Sequence, residues 1–126
     1  MKLLSASILA AALLAGCGSM STAPDTPTKT VDGVLIGPNG MTLYTFNKDT
    51  VGSGKSACNG QCAANWPPLF APESAKPMGG YTVVTRDDGK KQWAYKGSPL
   101  YYWVKDTKAG DRTGDGVAGA WKIARP

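Results

Sequence analysis

The chain has 126 residues, of which 14 are basic and 9 acidic, for a formal net charge of +5, and it contains no histidine. That length suffices for one small domain and not for two. Basic residues scattered among acids such as Asp87, Asp88, Asp106 and Asp111 argue against a nucleic-acid stripe. Without histidine the commonest general base and a common metal ligand are both missing, so no catalytic residue, no metal and no cofactor is expected.

Met1-Lys2 gives a positive start, and residues 3–14 form an apolar run too short to span a bilayer as a mature helix. The run ends in Leu14-Ala15-Gly16-Cys17, which resembles the lipobox of bacterial lipoprotein signal peptides. The resemblance implies that residues 1–16 are removed and that Cys17 is lipidated, anchoring the protein in a membrane of the cell envelope. Several acyl chains, each adding about 0.8 kcal/mol per buried CH₂, make such an anchor stable. The alternative is an ordinary signal peptide with an incidental cysteine. Gly18, in place of the aspartate that favours inner-membrane retention, points to the outer membrane if the envelope is Gram-negative. Residues 18–30 are rich in Ser, Thr, Pro and Gly with no apolar period, so 17–30 is expected to be a flexible tether.

The remaining 31–126 is expected to be all-β, a single small domain of two similar β-hairpin or meander repeats (about 31–70 and 81–126) sharing one core. Residues 33–36 and 41–46 flank Gly37-Pro38-Asn39-Gly40, turn chemistry suited to a first hairpin. Gly54-Lys55-Ser56 is a fragment of a phosphate loop without the glycines that loop needs. Cys58 and Cys62 are an even, closely spaced pair in an exported chain, which reads as a disulfide; a redox pair is the alternative. Residues 63–66 read as one helical turn stopped by Pro67-Pro68, with Trp66, Leu69 and Phe70 expected in the core and 71–80 crossing between the units.

In the second unit, 81–85 and 90–95 read as antiparallel strands around Asp87-Asp88-Gly89. A turn at 96–99 leads into a strand over 100–104. The acidic, glycine-rich loop 106–116 faintly resembles a calcium loop but lacks its spacing and terminal glutamate. A closing strand over 119–123 is expected to bury Trp121.

One stretch occurs twice, 57 positions apart: Leu43-Tyr44-Thr45-Phe46-Asn47-Lys48-Asp49-Thr50 and Leu100-Tyr101-Tyr102-Trp103-Val104-Lys105-Asp106-Thr107. Alternation in a strand sets Tyr44 with Phe46, and Tyr101 with Trp103, on one face. At the same offset Ile36 falls on Trp93 and Gly40 on Gly97. Internal repetition of this kind constrains the fold before any local propensity does. The stretch with Tyr44, Phe46, Asp49, Tyr101, Trp103 and Asp106 resembles the bacterial secreted-repeat lipoproteins, described by a Y-x-(F/W/Y)-x-x-D motif. The likeness extends through residues 58–62 and 65–69 and implies no particular activity. Packing explains the motif aromatics economically, since each large apolar side chain contributes about 1.5–3 kcal/mol when buried. An aromatic–carboxylate surface for a glycan or protein partner is the competing reading. The function expected is a membrane-anchored, non-catalytic binding or structural module; the alternative is a thiol–disulfide or electron-transfer role.

Overall fold

The computed structural model describes residues 26–126. Cys17, the apolar leader and the first part of the tether lie outside the described residues. The domain is all-β with short elements: β1 (Lys29–Val31), β2 (Val34–Ile36), β3 (Tyr44–Phe46), the helical turn α1 (Gln61–Asn65), β4 (Phe70–Ala71), β5 (Tyr81–Thr85), β6 (Lys91–Tyr95), β7 (Ser98–Pro99) and β8 (Trp121–Ile123).

β1 begins inside the stretch expected to be tether, and Thr28 is already buried, its hydroxyl bonded to that of Tyr81. The overlooked signal is Asp32-Gly33. Both residues have positive φ (52° and 76°), as a two-residue hairpin turn demands, and they join β1 to β2. The expected hairpin of β2 with residues 41–46 forms only at its turn end, where Gly37 N donates to Met41 O at 2.9 Å and Leu43 N to Leu35 O at 3.0 Å. It keeps one bridge there, Ile36 to Thr42, while β3 leaves to pair antiparallel with β8.

That departure sets the architecture. Each repeat gives its closing segment to the other. β8, from the end of the second repeat, pairs with β3 of the first, and β4, from the end of the first, pairs with β6 of the second. The backbone hydrogen bonds come in matched sets. Leu35 N donates to Ala124 O at 2.9 Å, and Trp93 N donates to Leu69 O at 2.9 Å. Ala124 N donates to Leu43 O at 2.8 Å, and Leu69 N to Leu100 O at 2.9 Å. Between the sets, Tyr44 N donates to Tyr101 O at 2.7 Å and Tyr101 N returns a bond to Tyr44 O at 3.0 Å.

This pairing corrects the alignment: the counterpart of Trp93 is Leu35, not Ile36. The first repeat carries one more residue in the turn before its motif, so a fixed offset slips upstream of it. Gly40 and Gly97 do correspond, each at positive φ (82° and 87°). The expected strand over 100–104 is reduced to a double bridge at Tyr101, to Tyr44 and to Pro68, preceded by the short β7.

Two buried clusters fill the interior, and both draw on both repeats. One gathers Leu35, Leu43, Leu69, Tyr81, Trp93, Leu100 and Ala124; the other gathers Tyr44, Cys58, Trp66, Tyr101, Ala120 and Trp121. Alternation decides which residue goes where, because Leu43 and Tyr44 point to opposite faces and enter different clusters. The same rule removes Phe70 from the core. Leu69 takes the inward position and Phe70 is 50% exposed, with Lys90 Nζ 5.5 Å from its ring.

Candidate functional site

The motif side chains meet across the junction of the repeats. Each motif tyrosine hydrogen-bonds the motif aspartate of the other repeat: Tyr44 OH donates to Asp106 Oδ2 at 2.6 Å, and Tyr101 OH donates to Asp49 Oδ2 at 2.6 Å. The second oxygen of each carboxylate anchors the loop that follows. Asp49 Oδ1 accepts from Ala57 N at 2.6 Å, and Asp106 Oδ1 accepts from Thr113 N at 2.9 Å and Thr113 Oγ1 at 2.6 Å. One carboxylate therefore closes its own loop and receives the other repeat's phenol. Hydrogen bonds to charged acceptors are the stronger kind.

The third motif position builds a stack. Phe46, Trp121, Trp66 and Trp103 lie in sequence with centroid separations of 4.2, 3.7 and 3.9 Å and interplanar angles of 12°, 4° and 25°. The two central indoles come from the exchanged closing segments, and the outer rings are the motif aromatics. Tyr44 meets Trp66 edge-on at 5.5 Å and Tyr101 meets Trp121 edge-on at 5.1 Å, the arrangement ring quadrupoles favour. Tyr44 and Tyr101 are fully buried, whereas Phe46 and Trp103 are partly exposed with one face covered.

Burial raises the phenol pKa values of Tyr44 and Tyr101, with the carboxylate partner adding to the rise. Burial alone pushes Tyr102 up to about 12. Burial also lifts Asp49 above the ordinary carboxylate range, opposed by its bonds from Tyr101 and Ala57 and by the charge of Arg86.

Sequence reasoning passed over Arg86, which is 4% exposed and reaches no carboxylate within ion-pair distance among the described residues. Its guanidinium donates to Ser56 Oγ (3.0 Å), Gln92 Oε1 (2.7 Å) and Cys58 O (2.6 Å). Ser56 Oγ in turn lies 2.6 Å from Tyr101 Oη, and buried Gln92 donates to Leu100 O at 2.8 Å. A buried polar chain thus runs from Asp49 through Tyr101 and Ser56 to Arg86. Carrying the 57-residue offset past the motif would have paired Ser56 with Thr113, hydroxyl with hydroxyl. No sequence signal marks Arg86.

Cys58 and Cys62 are joined as a disulfide with a Cα separation of 5.2 Å, and Cys58 is fully buried against the aromatic cluster. The carboxylates of the acidic loop do not converge. Asp106 faces Tyr44 and Thr113, Asp111 accepts from Thr107 N at 2.8 Å and pairs with Lys108 at 3.0 Å, and Asp115 accepts from Ile123 N at 3.2 Å. Those bonds from Thr107 and Lys108 lower the Asp111 pKa to about 2.

The basic residues are less scattered than the sequence suggests. Lys96, Lys122 and Arg125 line one cleft of about 210 Å³ at the junction of the repeats. The cleft continues past Thr45 and Ser98 into a second hollow of about 200 Å³ that reaches Asp49.

Fold and lock together define a duplicated all-β unit whose halves complete one another. A family model described as a secreted repeat of unknown function matches the chain twice, over residues 26–70 and 82–125, and the chain belongs to that family. No curated protein and no solved structure matches it.

Proposed function

We propose that the protein is an exported, membrane-tethered module of the cell envelope, held by lipid on Cys17, that serves by binding or by supporting structure and not by catalysis. The observation that carries this reading is where the motif's polar atoms go. Both phenols and all four carboxylate oxygens of the motif bond within the domain, so the repeated residues lock the halves together. The buried tyrosines and the covered faces of Phe46 and Trp103 leave little of the motif for a glycan or protein to stack against. A thiol–disulfide role is less well supported, since Cys58 is fully buried and only the half-buried Cys62 sulfur is left open to attack. The lipoprotein leader supports export and anchoring, with the outer membrane as the destination in a Gram-negative cell.

Palmitate labelling with fractionation tests the tether. The wild-type chain is expected to take up label and sediment with membranes, and Cys17→Ala to do neither. An unlabelled wild-type protein that sediments all the same would remove lipid anchoring from the account.

A further inference from the structure

The cleft at the junction carries chemistry that the motif does not. β3 pairs with β8 so that Thr45 lies opposite Lys122. Tyr44 and Phe46 take the inward face, so Thr45 and Lys122 face out, away from the ring stack. Ser98, from β7 of the second repeat, lines the same cleft, as do Lys96 and Arg125. The site therefore forms only where the two repeats meet.

None of the three cations has a carboxylate within 4.0 Å among the described residues, and no acidic side chain lines the basic part of the cleft. The partners that Lys96 and Arg125 do have are neutral, the Tyr95 ring 5.3 Å from Lys96 Nζ and the Gly33 carbonyl 3.3 Å from Arg125 Nη1, so an anion in the hollow would supply the countercharge all three lack. Lys96 adds an independent sign. It opens the Lys96-Gly97 turn with φ 51°, a conformation that glycine, asparagine or aspartate adopts more cheaply. The two-residue β6–β7 turn demands that conformation, and what it does not explain is a lysine there, whose side chain lines the cleft.

We infer that this cleft binds a phosphate-bearing anion, with Lys96, Lys122 and Arg125 supplying charge and Thr45 and Ser98 supplying hydroxyl donors. Arginine and lysine suit phosphate as fork and point charge respectively. A volume of about 210 Å³ has room for one or two phosphoryl groups. The phosphate can belong to a free solute or to a lipid headgroup. The inference builds on the reading of the domain as a binding module but does not depend on its tether.

The test is a titration of the ¹⁵N-labelled full chain in uncharged detergent, once with inorganic pyrophosphate and once with dihexanoyl phosphatidic acid. Saturable amide shifts at Thr45, Lys96, Ser98 and Lys122 are expected with at least one probe. The tighter probe identifies the source, solute for pyrophosphate and headgroup for the lipid. Lys122→Gln and Arg125→Gln should each weaken binding about tenfold, whereas Lys105→Gln, whose ammonium lies over the Trp103 ring, should leave it unchanged. Shifts that never saturate, or that are equal in all three variants, would overturn the proposal. Either failure would leave the palmitate result standing, so the two readings fail separately.

Discussion

At the scale of single residues, the Y-x-(F/W/Y)-x-x-D pattern has a mechanical meaning. The tyrosine reaches the other repeat's aspartate, the third position caps the ring stack, and the aspartate holds its own loop. Removing one phenol oxygen takes a hydrogen bond from a charged acceptor, the buried Asp106 or the half-buried Asp49, which costs about 1.5–3 kcal/mol. Tyr44→Phe and Tyr101→Phe should each lower unfolding stability by about that much in urea melts, with the fold retained. A loss below about 0.5 kcal/mol in both would mean the lock contributes little. The tyrosines also set a pH limit. Tyr44, Tyr101 and Tyr102 have folded pKa values above the ordinary phenol value of 10, so the native state holds protons that the unfolded chain releases. Their contribution is complete below pH 10 and is lost as pH rises through the folded values. Melting temperature should therefore fall steeply above about pH 10, with part of the tyrosinate absorbance appearing together with unfolding. Asp49 works in the opposite range. Its raised pKa makes the native state bind protons more tightly than the unfolded chain, so this group removes stability as pH rises through the carboxylate range.

At the scale of elements, the ring stack and the short disulfide loop carry the second cluster. Trp66 lies between Trp121 and Trp103, and Trp66→Ala should cost about 3–5 kcal/mol and abolish the near-ultraviolet circular dichroism of the stacked indoles. Cys58→Ser with Cys62→Ser opens a four-residue separation and should cost about 2 kcal/mol on the chain-entropy account. Two glycines mark close approaches. A Cβ on Gly37 would sit 2.1 Å from Tyr102 Oη, and one on Gly114 would sit 2.9 Å from the Tyr44 ring. Much of this level was legible in the chain. Period-two alternation identified the motif strand and its inward face, and Asp87-Asp88-Gly89 placed the β5–β6 hairpin. What stayed hidden was partnership. Alternation says that a segment is extended but not which segment it joins, and the exchange of β4 and β8 depends on contacts far apart in the sequence. Phe70 shows the cost of a one-residue slip in facing, and Lys96, Lys122 and Arg125 show that charges remote in sequence can converge.

At the scale of the whole molecule, neither repeat is complete alone. The first lacks a strand beside β3 without β8, the second leaves the Lys91–Gln92 edge of β6 unpaired without β4, and each tyrosine lacks its acceptor without the other half. The two halves should therefore fold as one cooperative unit, which their pooled clusters also require. Among the described residues, 72–80 are the only covalent link between them, with Glu73 and Ser74 exposed. A protease site inserted between Glu73 and Ser74 tests the exchange directly. After cleavage the fragments should co-elute with the near-ultraviolet spectrum of the intact domain. Separated in denaturant and returned to buffer, each alone should show no such spectrum, and equimolar mixing should restore it. A native spectrum from either fragment by itself would contradict the exchange of closing strands.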